Sequence, residues 1–275
     1  MTTRTTPLIH GLWCATLTPL ARNGGIDHAR FAAHVHALLA AGVPGQKIVA
    51  ATGCAALPET IALSRHALAA GCVACLVLPP FFWKDATDDG LFTWYARLID
   101  GVADTRLKLL LYHLPQVSAV PLSVDLVARL ATAFPGIVAG IKDSEGNWDH
   151  TSALLARVPE LTIVIGHEPH LPRLMRAGGA GTICGLANIY PELVRALLAP
   201  TVTPDDERRI AAFIKIAFDQ PFLASFKSML ADRLHDPEWR SVRAPLVALD
   251  EAQRRSLRAA LERAGFALAA AGAQQ

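Results

Sequence analysis

The chain has 275 residues, of which 52% are hydrophobic and 18% charged, with a formal net charge of +2. That apolar content can fill one large core, and a single α/β barrel of this length needs no second domain. Lys and Arg are scattered, with no basic block interleaved with aromatics, which argues against nucleic acid and leaves small molecules as the expected partners. Met1 to Trp13 lacks an apolar run behind a positive start, and the longest apolar stretch, Cys72 to Trp83, is too short to span a bilayer. A soluble, cytoplasmic protein without membrane attachment is therefore expected. The five cysteines (Cys14, Cys54, Cys72, Cys75, Cys184) are odd in number and dispersed, as packing thiols are and a disulfide framework is not. Cys72 and Cys75 have CxxC spacing, but no second pair or histidine cluster stands nearby to make a metal site.

Short apolar runs alternate with longer helical patterns along the chain, the signature of repeated βα units around a parallel sheet. The runs predict strands at about 12–17, 47–52, 73–79, 107–112, 137–142, 161–166 and 180–185. Each is nearly continuous in apolar residues, as expected when helices cover both faces. Helical patterns lie between them near 27–41, 57–70, 88–102, 123–134, 149–157, 170–178 and 189–198, with Pro and Gly at the joints. After residue 200 the pattern is helical only and ends in an amphipathic stretch from Leu246 to Ala271. Residues 1–200 are read as the barrel and 201–275 as a helical extension packed on it within the same domain.

In a TIM barrel the C-terminal ends of the strands carry the chemistry. Here those ends offer Thr16, Thr18, Thr52, Phe81, Phe82, Tyr112, Lys142, Glu168, Gly185 and Asn188. Lys142 stands where the apolar run Ile137-Val138-Ala139-Gly140-Ile141 gives way to Asp143-Ser144-Glu145-Gly146. Burial disfavours a charged amine, and a neutral amine can attack a carbonyl to form a Schiff base. The alternative is a rim lysine paired with Asp143 or Glu145. Tyr112, one βα unit earlier, could move protons to and from the carbinolamine, or could be a half-buried aromatic whose hydroxyl finds a backbone partner. His34-Val35-His36 directs its imidazoles apart, and Pro169 interrupts His167-Glu168-Pro169-His170, so neither makes a convincing metal site.

The ordered set Thr18-Pro19, Pro79 to Lys84, Tyr112-His113-Leu114-Pro115, Gly140 to Ser144 and Gly178 to Gly181 resembles the dihydrodipicolinate synthase and N-acetylneuraminate lyase family. The resemblance implies a (βα)8 barrel with extra C-terminal helices, a homotetramer or homodimer, and pyruvate or a pyruvate-yielding 2-keto acid bound by a lysine Schiff base. By position it makes Lys142 the Schiff-base lysine and Tyr112 the proton-shuttling tyrosine. Ser144, Glu168, Thr18 and Gly185 are the expected substrate-binding residues. No metal or cofactor is implied.

Several positions depart from the synthase pattern. Val117 stands where the synthases place an arginine that grips the second substrate, and an apolar side chain cannot hold a carboxylate. Phe82 replaces a tyrosine of their proton relay, and Ser144 supplies a hydroxyl where they have a small apolar residue. These choices favour a hydroxylated keto acid over aspartate semialdehyde, with Ser144 and Glu168 to hold its hydroxyls. The Gly-Thr-Thr-Gly-Glu type loop, which cradles the keto acid's carboxylate in the family, is absent. Val43-Pro44-Gly45 runs straight into a segment that matches the family's third strand, so about one βα unit, roughly 30 residues, is missing. The expected fold is thus an α/β TIM barrel with a C-terminal helical extension and without its second βα unit, leaving seven strands. Thr52-Gly53 is a weak substitute for the lost loop. The competing reading is a catalytically impaired paralogue or a non-catalytic small-molecule-binding barrel. A phosphate-binding barrel fits less well, because Gly178 to Gly181 precedes a strand and opens no helix.

Overall fold

The computed structural model describes residues 7–45 and 47–266. Seven strands follow one another: β1 (Gly11–Cys14), β2 (Val49–Ala51), β3 (Ala74–Val77), β4 (Leu109–His113), β5 (Val138–Asp143), β6 (Thr162–Ile165) and β7 (Gly181–Cys184). They form one sheet in the order β1-β7-β6-β5-β4-β3-β2, and β2 through β7 pair in parallel. All seven predicted strands are present, slightly shorter than expected. This is the expected α/β fold of the TIM-barrel type, one strand short of eight. Leu109, Leu110 and Leu111 on β4 are fully buried, as a strand covered on both faces requires.

The helices are α1 (His28–Ala40), α2 (Leu57–Ala69), α3 (Asp88–Val102), α4 (Pro115–Ser118), α5 (Val124–Ala133), α6 (Trp148–Arg157), α7 (Leu171–Arg176), α8 (Pro191–Leu198), α9 (Pro204–Phe218), α10 (Phe222–Arg233) and α11 (Glu251–Arg263). Their starts are written in the sequence: Asp27, Thr87, Ser123 and Asn147 each accept a hydrogen bond from a backbone N–H of the first turn. α1 ends at Ala40, Gly42 turns the chain at φ +79°, and β2 begins at Val49. Among the described residues between them there is no strand or helix, in agreement with a missing βα unit.

The final helix corrects an expectation. The amphipathic stretch from Leu246 to Ala271 becomes helical only at Glu251, because Asp250 and Gln253 form a reciprocal capping box there. Leu246 and Val247 precede it as exposed, non-helical residues. Residues 267–271 of that stretch lie outside the described residues. The four-residue α4 is a second difference, since Pro115 supplied a start signal that so short a segment gave no periodicity to confirm.

Internal contacts divide the chain into two compact units, one of Met1–Gly11 with Pro44–Ile183 and one of Leu12–Val43 with Cys184–Gln275. The first contains β2 to β6, and with them the ends of β4, β5 and β6. In the second, Trp239 is fully buried and packs edge-on against the ring of His34 at 4.9 Å.

Candidate active site

A β-bulge sets the register of the site. Leu109 pairs with Val138, but Leu110 pairs with Gly140, so β5 carries one residue more than β4 at this point. Beyond it, Tyr112 faces Lys142 and His113 faces Asp143. Gly140 fits where a side chain would not, since a Cβ there would lie 2.2 Å from the Thr162 carbonyl oxygen. Lys142 is buried, and its Nζ donates to the Tyr112 hydroxyl at 3.1 Å while lying 4.4 Å from the centre of the Tyr112 ring. The two carboxylates that could have paired with it are engaged elsewhere: Asp143 binds His150 and Glu145 binds His113.

Beside Lys142, the end of β6 is opened by Gly166. A Cβ on Gly166 would come within 2.1 Å of Ser144 Oγ and 2.9 Å of Lys142 Cε. Ser144 is 9% exposed, and its hydroxyl is buried without a hydrogen-bond partner. It does not cap α6, because Asn147 does. Its carbonyl accepts from Gln116 on α4 at 2.7 Å, which ties the segment after β4 to the segment after β5. Glu168, expected to bind substrate, is buried at the start of a short 3-10 helix, Glu168–His170.

Behind the Lys142–Tyr112 pair lies a histidine network. His113 Nδ1 accepts from the Leu122 backbone N–H at 3.0 Å, so Nε2 carries the ring proton and donates to Glu145 at 3.2 Å. Burial, reinforced by the charge of His150, holds His113 below the ordinary histidine range. Its ring stacks on that of His150 with centres 4.1 Å apart. Burial opposes charge on His150 as well, but the hydrogen bond and charge of Asp143, with the Leu122 carbonyl and Glu145, outweigh it and raise its pKa. For Asp143, burial is likewise outweighed, by His150 and Thr151, and the carboxyl titrates below its ordinary value.

The other expected positions divide clearly. Thr18 and Gly185 belong to the second unit, Thr18 exposed and Gly185 half-buried ahead of a 3-10 turn, Leu186–Asn188. Asn188 is a structural knot: its Oδ1 accepts from Leu17 N–H and His34 Nε2, and its Nδ2 donates to the carbonyls of Ala15 and Gly185. Thr52 is buried with its hydroxyl 2.9 Å from Ser64 Oγ, so that hydroxyl faces α2 and does not replace a carboxylate-binding loop. Phe82 and Val117 are exposed. Sequence reasoning missed Gly166 and His150, and named Asp143 only as a possible partner of Lys142. Gly166 had a signal, a glycine ending an apolar strand, whereas His150 on α6 shares no motif with Lys142.

A model of the dihydrodipicolinate synthetase family matches residues 44–264. The chain belongs to that family. A DapA-like lyase of Chloroflexus aurantiacus, itself uncharacterised, is 34% identical over 221 residues, 78% of this chain and 73% of the relative. A 4-hydroxy-tetrahydrodipicolinate synthase of Hyphomonas neptunium is 33% identical over 301 residues, 94% of this chain and 99% of the relative. Among solved structures, the dihydrodipicolinate synthase of Agrobacterium tumefaciens is similar with a TM-score of 0.85 at 33% identity, covering 92% of this chain and 99% of that one. The chloride-inhibited synthase of Acinetobacter baumannii, complexed with pyruvate, has a TM-score of 0.82 at 26% identity, with 94% of this chain and 100% of that one covered. The 301-residue alignment is longer than the 275-residue chain, so the Hyphomonas relative carries residues with no counterpart here. The family match begins at Pro44, within the shortened junction. Among the described residues no helix is long and apolar enough to cross a membrane.

Proposed function

We propose that this dihydrodipicolinate synthetase family member is a class I carbon–carbon lyase whose Lys142 forms a Schiff base with a 2-keto acid. The observation that carries the reading is the buried Lys142 amine held 3.1 Å from the Tyr112 hydroxyl on the next strand. In the cleavage direction, Nζ adds to the C2 carbonyl and loss of water from the carbinolamine gives the imine. A base removes the proton of the C4 hydroxyl, the C3–C4 bond breaks, and its electron pair enters the imine to give an enamine and a free aldehyde. Protonation at C3 and hydrolysis then release pyruvate and the amine. Tyr112 passes protons to and from the oxygen that leaves C2, a role supported by its hydroxyl lying 3.1 Å from Nζ. Ser144, with a buried hydroxyl lacking a partner, favours a hydroxylated substrate of the 2-keto-3-deoxy sugar acid type, and Glu168 would join it. The roles of Thr18 and Gly185 rest on chain order alone. Homodimeric or homotetrameric assembly and a cytoplasmic location belong to the same proposal.

Pyruvate with borohydride should label Lys142 irreversibly, and Lys142→Arg should abolish the label, because arginine stays protonated. Lys227 is the other buried lysine among the described residues, with Nζ donating to the Ser241 carbonyl at 2.6 Å. A label on Lys227, or one that persists in Lys142→Arg, would overturn the assignment. In coupled assays hydroxylated 2-keto acids should outperform pyruvate with aspartate semialdehyde; the reverse order would refute the substrate class.

One observation favours a second reading, a non-catalytic or impaired binding barrel. The βα unit that carries the family's carboxylate-binding loop is missing, and Thr52 is bonded to Ser64. Labelling of Lys142 without turnover of any keto acid would select it.

A further inference from the structure

His113, Glu145 and His150 bring potential metal-ligating atoms within 4.8 Å of one another. The hydrogen bonds decide against a metal site. Asp143 accepts from the Glu145 N–H at 3.2 Å and from the Thr151 hydroxyl at 2.7 Å, and so behaves as an ionised, acceptor-only carboxylate. His150 Nδ1, 3.0 Å from that carboxylate, must therefore donate to it. Nε2, 3.0 Å from the Leu122 carbonyl oxygen, must donate as well. With both ring nitrogens protonated, His150 has no lone pair for a cation.

The same bonds tie together the residues that follow the reactive pair on the two strands. Asp143 directly follows Lys142 on β5, and His113 directly follows Tyr112 on β4. His150 joins Asp143 to the carbonyl of Leu122, whose N–H binds His113. We propose that His150, acting as an imidazolium, is a positioning residue that clamps the ends of β4 and β5 and so holds Tyr112 against Lys142. It touches neither reacting group. Its charge is faced by Asp143 from β5, Glu145 from the loop after β5 and His113 from β4, while His167 and His170 after β6 face Asp143. Loss of one ring proton as pH rises leaves a nitrogen lone pair opposed to a carbonyl or a carboxylate oxygen, and the clamp opens on that side.

The clamp matters to catalysis only under the Schiff-base reading, so two kinds of measurement separate them. Nitrogen NMR of the His150 ring and amide exchange at residues 112–113 and 142–144 need no ligand. At pH 6 the ring should show two protonated nitrogens, and His150→Phe, which keeps a ring over His113, should speed exchange at those amides. Borohydride trapping with pyruvate should slow about tenfold or more in His150→Phe and lose the part of its pH dependence that His150 confers. Added imidazole should restore trapping in His150→Ala. An unprotonated His150 nitrogen at pH 6, exchange unchanged in His150→Phe, or zinc bound by the wild type and lost in His150→Phe, would overturn the clamp. If NMR and exchange come out as expected but no label forms at Lys142, the clamp stands and the Schiff-base reading falls.

Discussion

Tyr112 and Lys142 are partners across the β4–β5 pair because Ala139 is an extra residue on β5. Without the bulge between Leu109 and Leu110, regular pairing would place Ile141 opposite Tyr112. A shift of one residue exchanges the faces on which successive side chains stand, so the bulge brings amine and phenol together. Gly140→Ala tests this directly, since its Cβ would press on the Thr162 carbonyl. It should destabilise the fold by about 1–3 kcal/mol in urea unfolding, and trapping at Lys142 should fall by more than the lost folded fraction explains. Unchanged trapping would mean that the register tolerates the extra carbon.

Tyr112→Phe keeps the ring beside Lys142 and removes only the hydroxyl. Turnover of a responsive keto acid should fall roughly 10²-fold or more while the melting temperature stays close to wild type. Turnover at the wild-type rate would reduce Tyr112 to a packing role.

Ser144→Ala should separate stability from function. A buried hydroxyl without a partner costs about 1–3 kcal/mol, so its removal should leave the protein as stable or more stable. If that hydroxyl is kept for a substrate, kcat/KM for hydroxylated keto acids should fall in the same variant. A drop in melting temperature with unchanged kinetics would contradict both expectations.

Asn188→Ala removes four hydrogen bonds that join Leu17, His34, Ala15 and Gly185 in the second unit. The expected loss is about 2–3 kcal/mol, mostly from buried groups left without partners. A variant as stable as wild type would show that water replaces the amide.

The Asp143–His150 pair predicts a pH dependence of stability with a definite sign. His150 is raised, so its contribution is complete below about pH 6.5 and is lost as pH rises through its folded value. Asp143 is depressed, so its contribution is present above about pH 4 and is lost as pH falls through its lower folded value. His113 is also depressed, which adds a loss of stability as pH falls below about 6.5. In urea unfolding from pH 5 to 9, the gap between wild type and His150→Phe should narrow as pH rises. A gap that widens with pH would give His150 the opposite sign.

Much of the fold and part of the site are legible in the sequence. Nearly continuous apolar runs such as Leu107 to Tyr112 identify strands covered on both faces, and the break at Lys142 marks a polar residue at a strand end. The absent βα unit could be read because its neighbours on each side stayed in order. The bulge could not, since Val138, Ala139, Gly140 and Ile141 are all apolar or small and fit either register. His150 was hidden for a different reason: its role depends on the Leu122 carbonyl, and backbone groups leave no trace in side-chain patterns. α11 began late because a capping box at Asp250 and Gln253 outweighed the hydrophobicity of Leu246 and Val247.

The short passage from Ala40 to Val49 also constrains how such a chain can arise. Losing a strand alone would reverse the direction in which every later strand runs, and losing a helix alone would join two strands as a hairpin. Excision of one strand together with one helix keeps the polarity of all that follows, and β7 does run in the direction of β1: the Gly11 and Ala15 N–H groups bond the Ala180 and Cys184 carbonyls in ascending order along both strands, and β2 through β7 are parallel to one another. Such an architecture shortens in whole modules, which leaves the order and direction of the strands that carry Tyr112 and Lys142 unchanged.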